Sequence, residues 1–127
     1  GDMVDYLKRQ AEQRGAANVV VVRGEFEDPK LPDGEIDLLF TCNTYHHIAD
    51  RPAYFRRVLD DLAPNGRVAI VEYDGREGWF PRTFGHVTPP DQIAREMREA
   101  GYEQLASHGV LARQSFQIFR ADDGTGE

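Results

Sequence analysis

The chain has 127 residues, 40% of them apolar and 29% charged, which suits one small core and leaves no room for two. Fifteen Lys and Arg against 22 Asp and Glu give a net charge of −7, a surface that repels phosphate backbones and anionic lipid, so neither nucleic acid nor a membrane is expected as a partner. No apolar run approaches the roughly 20 residues of a membrane-spanning helix, no secretory leader opens the chain, and the single cysteine, Cys42, excludes an internal disulfide and a zinc ribbon; a cytoplasmic setting is the expectation.

In chain order, a first helix opens at Asp2 as N-cap, with Asp5 in its first turn, an apolar stripe of Met3, Leu7 and Ala11, and a stop at Gly15. Val19-Val20-Val21-Val22 is apolar without alternation, the pattern of a strand covered on both faces. Ile36 to Phe40 reads the same way. A second helix is capped by Asp50, carries Pro52 in its first turn and turns Tyr54, Phe55, Val58, Leu59 and Leu62 inward. Val68 to Val71 is another buried strand. Thr88 is the expected cap of a third helix, with Pro89-Pro90 in the first turn, Asp91 completing a Thr-x-x-Asp box, and Ile93, Ala94, Met97 and Ala100 facing inward before Gly101. Tyr102 to Ser107 and Gln114 to Phe119 are more polar and read as an antiparallel pair at a sheet edge. Residues 121–127 read as a flexible acidic tail. Buried strands alternating with amphipathic helices place the chain in the α/β class.

Three segments carry a resemblance. Val19–Asp28 is an apolar strand ending in an acidic turn. Leu31–Phe40 (LPDGEIDLLF) is a Pro-Asp-Gly turn leading through an acidic residue into a strand. Leu62–Val71 (LAPNGRVAIV) is a helix end, a Pro-Asn-Gly turn and a strand, and Tyr45-His46-His47 follows the strand between them. In this order and spacing the sequence resembles the class I S-adenosylmethionine-dependent methyltransferases, in particular the broad small-molecule methyltransferase-domain group. The resemblance covers about residues 2 to 120, read as a single N-terminally truncated domain.

The family sheet has seven strands in spatial order 3-2-1-4-5-7-6. On that scheme the first helix here is the one after strand 2. Strands 1 and 2, the helix between them and the glycine-rich loop are therefore missing, and no G-x-G-x-x-G occurs in the chain. The expected fold is a partial Rossmann-like sheet, mostly parallel, with a C-terminal antiparallel pair. Strands 4, 5, 7 and 6 stay contiguous. Val19–Val22 is left two strand widths, on the order of 10 Å, from its nearest partner. Exposed strand edges then invite a homo-oligomer by strand exchange.

The resemblance implies S-adenosylmethionine as cofactor and a small-molecule methyl acceptor as partner. It places Glu25 and Phe26 against the adenine, Asn43 at the cofactor's amino-acid part, and Tyr45 with the cofactor contacts. The plain alternatives are an acidic turn at Glu25-Phe26 and a turn residue at Asn43. Asp37 reads as a structural group bonding local amides, and Cys42 as a small buried apolar group. His46 is the candidate general base, since imidazole titrates near neutrality; a structural or capping histidine is the competing reading, and adjacent histidines do not readily face one site together. His86 and His108 lie far off and no metal-binding spacing exists, so no metal is expected. The long connection 74–87 supplies Trp79, Phe80 and Phe84 as the expected acceptor-binding residues, with Arg76 and Arg82 as weaker candidates for an anionic acceptor. The reaction implied is methyl transfer. The alternative is a non-catalytic α/β remnant or interaction module, completed by strand exchange with another chain.

Overall fold

The computed structural model describes residues 2–25, 27–73 and 88–122. Helix α1 spans Asp2–Gln13, strand β1 Ile36–Cys42, helix α2 Arg51–Val58, strand β2 Leu62–Tyr73, helix α3 Pro90–Ala100, strand β3 Tyr102–His108 and strand β4 Gln114–Ala121; short 3-10 turns cover Tyr45–His47 and Leu59–Asp61. The strands form one sheet in the order β1-β2-β4-β3. That is the contiguous 4-5-7-6 block expected above. β1 and β2 pair in parallel, whereas β4 runs antiparallel to both β2 and β3, so three of these four strands point one way.

Local chemistry explains the helices. Asp50 caps α2, its side chain accepting from the Ala53 amide at 3.2 Å, with proline in the first turn. One face of α2 buries Phe55 and Val58, and one face of α3 buries Ile93, Met97 and Ala100. Gly101 ends α3 in the left-handed region (φ 103°), its N–H donating to the Arg98 and Met97 carbonyls. The start of α3 differs from expectation. Pro89, not Thr88, is the N-cap, and no side chain caps the helix. A residue that precedes proline is driven into extended backbone, so Pro89 (ψ 148°) cannot join the first turn and Thr88 is carried one residue too far out.

These two helices and the Tyr45–His47 turn cover one face of the sheet. Tyr45, Phe55, Val68, Ile70, Ile93, Met97, Tyr102 and Phe119 are fully or almost fully buried there. Tyr102 is pinned twice, by an edge-on contact with Phe55 (6.4 Å between rings) and by its hydroxyl, which donates to the Phe55 carbonyl at 2.7 Å.

The strand expected at Val19–Val22 is not formed. No ladder involves these residues, and Val20 is 82% exposed. Hydrophobicity alone cannot make a strand without a neighbour to satisfy its amides. β1 likewise has one bare face, with Leu38 and Phe40 each 58% exposed, so it is not covered on both sides as its sequence suggests. α1 buries none of its residues. The Pro64-Asn65-Gly66 turn lies inside β2 as a bulge, with Asn65 at φ 66° and the register passing from Ile36–Leu62 to Leu38–Arg67. β4 runs through Ala121, and the Asp122 amide donates to the Gly101 carbonyl at 2.8 Å, so ordered structure extends into the stretch read as tail. Among the described residues no helix is long and apolar enough to cross a membrane.

Candidate functional site at the carboxyl edge of the sheet

β1 and β2 finish side by side, Cys42 paired with Val71, and the chain leaves β1 at the edge where open α/β sheets bind ligands. Asn43 turns the corner in the left-handed region (φ 55°), donating its amide to the Val71 carbonyl at 2.8 Å and accepting at Oδ1 from Gln114 Nε2 at 2.9 Å. Thr44 Oγ1 then bonds back to the Cys42 carbonyl at 3.0 Å. This tight corner delivers the chain into the 3-10 turn Tyr45–His47.

The three side chains of that turn go to three different places. His46 is 7% exposed, and its Nδ1 meets Oε1 of Glu72, a fully buried carboxylate on the penultimate residue of β2. The contact ties the imidazole ring to the carboxyl end of β2. His47 is exposed, and its ring lies 4.1 Å from that of His46. Tyr45 is buried in the core, stacked on Phe55 at 5.6 Å.

The Tyr45 hydroxyl donates to Glu96 Oε1 on α3 at 2.8 Å. Arg51 grips both oxygens of the same carboxylate, Nε to Oε1 at 2.7 Å and Nη2 to Oε2 at 3.0 Å, and Gln92 adds a bond to Oε2 at 3.1 Å. The guanidinium also lies 5.0 Å from the Tyr45 ring centre. Burial, then the bond to Glu96, pushes the Tyr45 hydroxyl far above the usual phenol range. Burial would also raise Glu96, but the hydrogen bonds from Arg51, Gln92 and Tyr45, with the Arg51 charge, outweigh it and hold the carboxyl at about 2. Tyr45 is therefore a core anchor with its hydroxyl committed to Glu96.

Around Glu72 the sheet holds buried polar atoms without partners: Glu72 Oε2, Ser115 Oγ, Gln117 Oε1 and Thr41 Oγ1. They share the helix-covered face. Ser115 lies directly across from Glu72, and Thr41 and Gln117 flank Ile70 in the next row. Each such group costs about 1–3 kcal/mol if nothing meets it.

The remaining expected residues fall elsewhere. Glu25 is exposed, exchanges backbone bonds with Asp28 and is 3.4 Å from Lys30 Nζ. Asp37 is exposed and engages in none of the described hydrogen bonds, and Cys42 is exposed rather than buried, because β1 lacks cover on that side. Phe26, Trp79, Phe80, Phe84, Arg76, Arg82 and His86 lie outside the described residues. Among the described residues no group of three His, Cys, Asp or Glu side chains could hold a metal ion. Glu72 and Glu96 were not anticipated. The signal for Glu72 was available, an acid closing the apolar run Val68–Val71; for Glu96 it was the Gln92–Glu96 spacing beside the inward stripe of α3.

Comparison with known proteins agrees with this architecture. Residues 1–70 match the family described as the methyltransferase domain. The chain is 30% identical over 99 residues to phosphoethanolamine N-methyltransferase 3 of Arabidopsis thaliana, covering 76% of this chain and 18% of that protein. It is 26% identical over 121 residues to the aklanonic acid methyltransferase DauC of Streptomyces sp. (strain C5), covering 95% of this chain and 54% of that one. The chain thus spans from about a fifth to about half of these relatives. A SAM-dependent methyltransferase from Aquifex aeolicus has the same fold, with a TM-score of 0.81 at 20% identity over 92% of this chain and 62% of that one. With a match over more than half its length, an α/β sheet in the order expected of that group, and a shared fold, the chain belongs to the methyltransferase domain family.

Proposed function

We propose that this chain carries the acceptor side of an S-adenosylmethionine-dependent methyltransferase acting on a small molecule with a nucleophilic O–H or N–H. The observation that carries the reading is the His46–Glu72 pair, an almost buried imidazole against a fully buried carboxylate at the ligand-binding edge of the sheet. Glu72 holds the ring in place at that edge, so His46 is positioned to take the acceptor's proton as the methyl arrives. Glu72 Oε2 and the Ser115 hydroxyl, both unpartnered, suit an acceptor that brings hydrogen-bond donors. The relatives named above act on phosphoethanolamine and aklanonic acid, and phosphoethanolamine is the first acceptor to try.

The described residues do not by themselves form a cradle for S-adenosylmethionine. Asn43 and Tyr45 spend their side chains on Gln114 and Glu96, and Glu25 stands exposed beside Lys30. The unpaired Val19–Val22 and the open edge of β1 favour completion of the cradle by further strands, from the same polypeptide or from another copy, and the homo-oligomer belongs to this proposal.

The test is thermal unfolding with and without S-adenosylhomocysteine. At a hundredfold excess over Kd, binding to the folded state adds about 2.7 kcal/mol, enough for a rise of several degrees. A concentration-dependent rise supports the reading. A cooperative melt that does not move leaves the family membership and removes the enzyme, in favour of the non-catalytic module.

A further inference from the structure

We propose that Glu96, which does not touch His46, is a positioning residue for it, acting through Tyr45. The inference rests on the reading of His46 as the base. The element that carries His46 is three residues long, and so short a 3-10 turn has little stability of its own. The Asn43 corner holds its entry, and its side chains supply further anchors. Tyr45 and His46 are adjacent and anchor on opposite supports, Tyr45 on α3 through Glu96 and His46 on β2 through Glu72. Rotating the turn to release one anchor moves the other.

Glu96 also governs the far end of the turn. Arg51, its bidentate partner, is the first residue of α2, and its Nη1 reaches the carbonyl of Ile48, the residue that closes the 3-10 turn, at 3.5 Å. One carboxylate thus gathers the start of the turn through the Tyr45 hydroxyl and its end through Arg51, while Gln92 fixes the carboxylate from one helical turn back along α3. Every charged or titratable group on this carboxylate keeps one state where imidazole titrates: Glu96 is ionised, Arg51 charged and Tyr45 protonated. The buckle therefore holds the turn equally whether or not His46 carries a second proton. A support that titrated alongside the base would release it during the reaction.

The test follows the His46 ring by NMR through a pH titration of the full chain, in the wild type, Glu96→Gln, Tyr45→Phe and a control, Ile93→Val, which trims the core without touching the buckle. Expected is a shift of the His46 midpoint by about half a unit or more in Glu96→Gln and Tyr45→Phe, a threefold change in its protonation equilibrium, with the Ile93→Val midpoint unmoved. A His46 midpoint unchanged in a folded Tyr45→Phe or Glu96→Gln protein overturns the proposal, as does an equal shift in the control. Should Glu96→Gln fail to fold, Tyr45→Phe, which keeps the buried ring, decides alone. The readout is the imidazole itself, so failure to observe methyl transfer would remove the base and leave this result standing.

Discussion

His46 and Glu72 meet across 26 residues of sequence, one on a three-residue turn after β1 and the other on the penultimate residue of β2. The parallel register of β1 with β2, Cys42 against Val71, is what brings them together. His46→Ala deletes the partner of a fully buried carboxylate, and breaking a buried pair from one side is more damaging than removing both members. Urea unfolding should show a loss of about 3 kcal/mol for His46→Ala. A double variant, His46→Leu with Glu72→Leu, should recover most of it. A double variant as unstable as the single one would mean that the pair is not the source of the loss.

Glu96 sets an acid limb on stability. Its carboxyl sits below its ordinary value of 4.5 in the folded chain, so its contribution is complete above about 4.5 and is lost as the pH falls toward about 2. The loss should amount to about 2 kcal/mol once solvent screening is allowed for. Melting temperatures measured from pH 5 to pH 2 should fall in the wild type and fall much less steeply in Glu96→Gln, which lacks the titrating group.

Asp61 has the opposite sign. Burial first, and then the nearby charges of Asp33 and Asp28, raise its carboxyl above the ordinary value. A raised group favours folding below its unfolded value, and that support is lost as the pH rises through the folded value; at neutral pH Asp61 is a buried charge among like charges. Asp61→Asn is expected to raise the melting temperature at pH 7 by a few degrees, with the gain shrinking toward pH 3. A gain independent of pH would assign the effect to packing.

Gly66 is a steric requirement. A Cβ there would lie 2.7 Å from the Ile36 carbonyl and 3.0 Å from that of Ala63, both backbone atoms with little freedom to yield. Gly66→Ala should cost about 1–3 kcal/mol in urea unfolding. Gly109→Ala has open space around it and should be neutral or mildly stabilising.

Much of this was legible in the chain because the signals were local or because a few turns recur in a fixed order. Asp50 and Pro52 at α2, the inward stripe and Gly101 stop of α3, and the antiparallel pair at the far edge all fold as their residues suggest. The order of the four strands followed from the resemblance. What stayed hidden depends on neighbours. Val19–Val22 has the composition of a strand and no partner to pair with, and Leu38, Phe40 and Cys42 are apolar on a face with nothing laid over it. His46 was visible as a titratable residue at a strand end, whereas its partner required the register of two strands. The place of Tyr45 in the core was equally hidden, since the glutamate that takes its hydroxyl lies 51 residues away.

The position of β4 has a consequence for synthesis. It is the last described strand in the chain, yet it lies between β2 and β3, both of which are made before it. While a ribosome is still translating residues 114–121, β2 has only β1 beside it and β3 has no ladder at all. The sheet cannot close as it is made; it closes in one late step, when β4 emerges and supplies both antiparallel pairings together.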